Sequence, residues 1–143
     1  MAVELDHTFE TGKDVDYNWD AVLDLERVIP CVEGGTVTER VSEDEAKAEI
    51  KVKMGAMSMT FAGTVTVAEK DEAAHRALLR VKSRDKGGSG YADADVTFDL
   101  NDGGGSIHTA AQISGKAASM GEGVVRNVLD ALIKDFTRKL AAI

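Results

Sequence analysis

The chain lacks a second cysteine. Cys31 stands alone among 143 residues, so no internal disulfide framework is available, and a reducing, cytoplasmic compartment is the simplest expectation. It also lacks an excess of base. Its 17 Lys and Arg are outnumbered by 25 Asp and Glu, for a formal net charge of −8. That argues against a nucleic-acid partner, because phosphate contacts need a basic surface. It leaves room only for weak, transient contact with a membrane, peripheral at its inner face. No apolar run approaches the length of a membrane span. The opening residues, MAVELDHTFE, carry neither the basic nor the apolar region of a signal peptide.

Metal and nucleotide signatures are missing too. His7, His75 and His108 are far apart, and none has a His or Cys at ligand spacing. Gly87-Gly88-Ser89-Gly90 is not followed by the lysine and helix of a phosphate loop. It reads as a flexible hairpin, deformable enough to form a cavity lip. Cys31 has no histidine motif beside it and reads as a buried structural thiol. No cofactor is expected.

What remains is a chain that is 43% hydrophobic, long enough for one domain with a real core, spanning residues 1–143. Val3, Leu5, His7 and Phe9 alternate with polar residues as a half-buried strand does. Asp14 offers an N-cap for a helix over Val15 to Leu25, with Trp19, Val22 and Leu23 inward. Pro30 ends or re-starts that helical region, and Gly34-Gly35 turns the chain into a sheet. From Thr36 to Gly115 the apolar period is near two. Gly55-Ala56 marks a hairpin. Leu78 falls out of phase, which predicts a bulge or a strand covered on both sides. Asp93, Asp95 and Asp99 oppose Val96 and Phe98 in phase and are expected on a charged outer face.

The last segment changes period. Met120, Val124, Val128, Leu132, Phe136 and Leu140 recur every fourth residue, widened by Val125, Leu129 and Ile133, with Arg126, Asp130 and Lys134 opposite. The pattern predicts an amphipathic helix from Lys116 to Ala142, roughly 40 Å long. It is the one candidate to cover the apolar face of an antiparallel meander.

This order, with the segments Cys31-Val32-Glu33-Gly34, Gly55-Ala56-Met57-Ser58-Met59-Thr60-Phe61-Ala62-Gly63, Gly87-Gly88-Ser89-Gly90 and Gly115-Lys116-Ala117-Ala118-Ser119-Met120-Gly121, resembles the carbon monoxide dehydrogenase CoxG-like family of the START-like, or SRPBCC, superfamily. Glu33 departs from it, standing where the family tends to have proline. The resemblance implies an α+β helix-grip fold: a curved antiparallel sheet of about seven strands around a long C-terminal helix. It also implies a hydrophobic cavity and a non-catalytic accessory role beside a molybdenum CO dehydrogenase or related oxidoreductase, handling a lipid or an isoprenoid quinone. The expected ligand site lies among Met54, Met57, Met59, Phe61, Leu79, Val81 and Phe98 of the sheet and Met120, Val124 and Val128 of the helix. Trp19 and Ile29 would wall the other side, and His75 would supply one polar group. The alternatives are an enzyme of the polyketide cyclase/aromatase type, which needs convergent polar groups in the cavity, and a ligand-free interaction module with a filled core.

Overall fold

The computed structural model describes residues 1–143. Strand β1 (Ala2–Glu10) is followed by helices α1 (Val15–Leu23) and α2 (Leu25–Val28) and a single 3-10 turn at Ile29–Cys31. Then come β2 (Gly35–Ser42), β3 (Glu45–Met54), β4 (Met57–Asp71), β5 (Arg76–Asp85), β6 (Tyr91–Asn101) and β7 (Gly104–Ile113). A second 3-10 turn at Ala118–Met120 leads into α3 (Glu122–Ala142).

Strands β2 to β7 form a continuous antiparallel meander, and β1 adds to the free edge of β7, giving the order β1-β7-β6-β5-β4-β3-β2. The period-two segments therefore became strands in sequence order. The two-residue Gly55-Ala56 turn joins β3 to β4, with Met54 paired to Met57. The bulge lies in β4, not in the strand that holds Leu78: Val67 pairs with Leu79 and Glu69 with Leu78, so Ala68 is the extra residue. On the outer face, Arg76 and Arg80 sit directly across from Asp99 and Asp95 and bond to them at 2.6 and 2.8 Å. The aspartate row is thus a ladder of cross-strand charge pairs.

Asp14 caps α1 through its carboxylate, which accepts from the Tyr17 N–H at 2.8 Å. Trp19 and Val22 are buried and Leu23 half-buried. Asp24 interrupts the helix, so the expected segment to Leu25 divides into α1 and α2.

The long helix begins six residues later than expected. Gly121 holds φ 96° and ψ 153°, a conformation that only glycine adopts freely, and it separates the 3-10 turn from α3. The helix has 21 residues and is about 32 Å long. It lies across the inner face of the sheet and is tied to β1 on one flank. Asp130 Oδ1 sits 2.7 Å from His7 Nε2, and the Arg126 guanidinium donates to the Glu4 carbonyl at 3.1 Å.

Candidate ligand cavity

The apolar interior is not one cluster but two. The larger gathers Trp19, Val22, Leu25, Val28, Phe98, Leu100, Ile107, Phe136 and Leu140 at the end of the sheet covered by α1 and α2. The smaller gathers Val3, Met54, Met59, Phe61, Ala111, Ile113, Ala117 and Val125 at the hairpin end. Between them, under the middle of α3, is a cavity of about 280 Å³. Its trace shows along the helix. Val125, Phe136 and Leu140 are buried, while Val128, Leu129, Leu132 and Ile133 remain only partly covered because they face the void.

Side-chain size makes the void. The inward positions on its sheet wall include Ala48, Gly63, Ala92, Ala94 and Ala111, too short to fill the space beneath the helix. Gly63 has a second role. A Cβ there would overlap the Lys82 carbonyl oxygen and crowd the Ser83 backbone, so the absence of a side chain lets β4 and β5 approach closely.

Of the ten expected site residues, Met54, Phe61, Leu79, Val81, Phe98 and Val128 line the cavity. Four do not. Met59 is buried in the smaller cluster, and Met57 and Met120 are partly buried against it. Val124 is 39% exposed, on the solvent side. The reason is geometric: a row of residues spaced by four drifts about 40° around a helix at each step. Val124 and Phe136 therefore lie about 120° apart, and the inward stripe is Val125, Val128, Leu129, Leu132, Ile133 and Phe136. Ile29 lines the cavity but Trp19 does not.

The polar expectations shift as well. His75 is not in the cavity. It sits in the β4–β5 turn with φ 52°, its ring edge-on to Trp19 at 5.7 Å between centroids and its Nε2 3.7 Å from Asp16. The histidine brought inside is His7, beneath α3. The glycine-rich turn is clasped, not loose. The Asp85 carboxylate accepts from Gly87 N–H and the Ser89 hydroxyl, which hold it below the usual carboxylate range, and Lys116 N–H donates to the Ser89 carbonyl at 3.1 Å. No residue of that turn lines the cavity. Cys31 is buried and donates weakly to the Arg27 carbonyl; burial pushes its thiol pKa up, away from a nucleophile's. No three His, Cys, Asp or Glu side chains converge as a metal site would, and no helix is long and apolar enough to cross a membrane.

Of the 32 residues lining the cavity, 25 are hydrophobic, which suits a largely apolar occupant. The family model for CoxG, a subunit of carbon monoxide dehydrogenase, matches residues 8–142. The chain belongs to the CoxG family. Solved structures similar to this CoxG protein include a conserved protein from Geobacillus kaustophilus, 22% identical over 99% of this chain and 93% of that one, with a TM-score of 0.80. A START superfamily protein from Mycobacterium smegmatis is 10% identical over 97% and 94% of the two chains, with a TM-score of 0.62. The Zhui aromatase/cyclase from a Streptomyces species is 13% identical over 99% and 93%, with a TM-score of 0.59. At these identities the likeness is one of fold, a helix-grip arrangement of a curved antiparallel sheet around a long C-terminal helix. No curated protein matches this CoxG protein in sequence.

Proposed function

We propose that this CoxG protein is a non-catalytic carrier of an apolar ligand, acting as accessory to a CO dehydrogenase-type molybdenum oxidoreductase. The observation that carries the reading is the void between two separate core clusters. A domain that only needed a core would have larger inward side chains where Ala48, Ala92, Ala94 and Ala111 stand. The family description, a dehydrogenase subunit, supports the accessory role.

Size narrows the ligand. An apolar cavity of about 150 Å³ takes one benzene. The present one, at about 280 Å³, takes a two-ring head or a short stretch of hydrocarbon chain. A long-chain lipid or an isoprenoid quinone would seat its head or first chain segment there, with the remainder outside. A cyclase would need convergent acid–base groups on this wall. The inward hydroxyls there are those of Ser83 and Thr109, so the carrier reading is preferred.

The test is uptake of a naphthalene-based apolar dye, together with mass spectrometry of an organic extract of the purified protein. Ala94→Trp, which projects into the void from β6, should abolish dye binding while the protein stays folded. Val124→Trp, on the solvent side of α3, should bind like the parent. A parent that binds no apolar dye, or an Ala94→Trp variant that binds it normally, would overturn the proposal.

A further inference from the structure

The cavity is lopsided. Its wall draws on β3 to β7 and reaches Val32 and Gly35, where the chain turns into β2, yet no residue of β1 lines it. β2 is the last strand on that side of the sheet. A void that runs out to an edge strand has no further strand to shut it and relies on the helix above. On the opposite side Val3, Ile107, Ala111 and Ile113 are buried, whereas Ile50 and Val52 on β3 are only partly buried. The ties of α3 are as uneven. Its polar contacts with the sheet both go to β1, from Asp130 to His7 and from Arg126 to the Glu4 carbonyl. Val128 and Leu132 each lie roughly 160° around the helix from Asp130, toward β3. On that flank no hydrogen bond or ion pair joins helix to sheet, and packing alone holds them together. The two ends of the helix differ too. Near the C-terminal end Phe136 and Leu140 are buried, and Lys13 Nζ donates to the Ala141 carbonyl at 3.2 Å. The N-terminal end has no side-chain cap and carries Gly121 and Gly123, which weaken the first turn.

We infer that the ligand enters and leaves between α3 and β3, through a slot with Val32, Ile50 and Val52 on one lip and Val128 and Leu132 on the other. This rests on the carrier reading above and adds the route. The N-terminal half of α3 lifts from the β3 flank while its contacts with β1 and its C-terminal end hold. A molecule longer than the cavity leaves its tail along the slot. All five lip residues are aliphatic, so an apolar molecule crosses without stripping water from a charge. The β1 flank is the poorer door, because opening it breaks the Asp130–His7 contact and exposes an imidazole that is already short of partners.

The experiment uses one probe, a naphthalene carrying an eight-carbon chain that ends in a diazirine. Photolysis of the complex and peptide mass mapping locate the end of the chain. Adducts should fall on the segments around Val32, Ile50–Val52 and Val128–Leu132. Stopped-flow fluorescence of the same probe then measures uptake and release. Gly123→Ala is the variant, since a methyl at Gly123 meets no neighbour and Gly123 does not line the cavity. By stiffening the first turn of α3 it should slow uptake and release alike, by about fivefold, and leave the affinity unchanged. Adducts concentrated on Ala2–Glu10, or Gly123→Ala rates equal to the parent's, overturn the slot and leave the carrier reading standing. A probe that does not bind the parent overturns the carrier reading, and this inference with it.

Discussion

Val124 faces solvent and its neighbour Val125 is buried under the helix. One position along α3 thus decides between surface and core, and single-residue effects should be read in that light. His7 is the sharper case. Its side chain is 9% exposed and its one partner is Asp130, at 2.7 Å. In the neutral tautomer that donates Nε2–H to this carboxylate, Nδ1 is left as an unpaired acceptor. Asp130→Ala strips the last hydrogen bond from a buried imidazole, and an orphaned buried group costs more than the bond it lost. The expected outcome is a melting temperature several degrees below the parent, with Asp130→Asn, which keeps an acceptor, recovering most of the loss. Differential scanning calorimetry of the two variants checks it; equal melting temperatures for Asp130→Ala and the parent would show that the His7 contact is decorative.

The elements were legible where pattern alone determines them. Alternation along Val3–Phe9, Ala48–Met54 and Ala92–Leu100 marks strands because one face of the sheet is buried and the other wet. Asp14 marks a helix start because its carboxylate satisfies a free N–H. The start of α3 was not legible in this way. Ala117 and Met120 continue the apolar pattern into a 3-10 turn, and the break at Gly121 is a backbone event that side-chain periodicity does not register. The cavity was half legible: its sheet wall follows from phase, but its volume follows from the small size of inward residues, which hydrophobic pattern does not weigh. The row Ala48, Gly63, Ala92, Ala94 and Ala111 was the available signal. Gly63 tests the element-scale account. Gly63→Ala should destabilise the protein by about 1–3 kcal/mol or more, as overpacking does, because the new methyl meets backbone and not a yielding side chain. Urea denaturation measures it, and a variant as stable as the parent would mean that β4 and β5 can separate without cost.

At the scale of the whole molecule, charge sets the pH response. Hydrogen bonds from Lys134 and then His7 hold Asp130 below the usual carboxylate range, and Arg80 does the same for Asp95. The stability these groups contribute is present above the ordinary carboxylate pKa and is lost as pH falls through the depressed values. His108 moves the other way. Its hydrogen bond to Asp6, joined by Glu4, raises it above the ordinary imidazole value, so its contribution is present below that value and fades as pH rises through the raised pKa. Stability should therefore peak on the mildly acidic side of neutrality, and His108→Gln should flatten the decline above it. Urea midpoints measured from pH 3 to 9 (roughly the span of the two transitions) check both limbs; an unchanged upper limb in His108→Gln would assign that slope elsewhere.

The void between the two core clusters also gives the protein a mechanical property. An apolar lining holds water poorly, and unfolding eliminates the cavity, so the denatured chain occupies less volume than the folded one. Hydrostatic pressure should then unfold the empty protein readily, with a volume change toward the larger end of the usual range of about −20 to −100 mL/mol. Tryptophan fluorescence of Trp19 under pressure reports the midpoint. An occupant should raise that midpoint and shrink the volume change, and Ala94→Leu should do the same without any ligand. In a fold built this way, the pressure midpoint reports whether the cavity is filled.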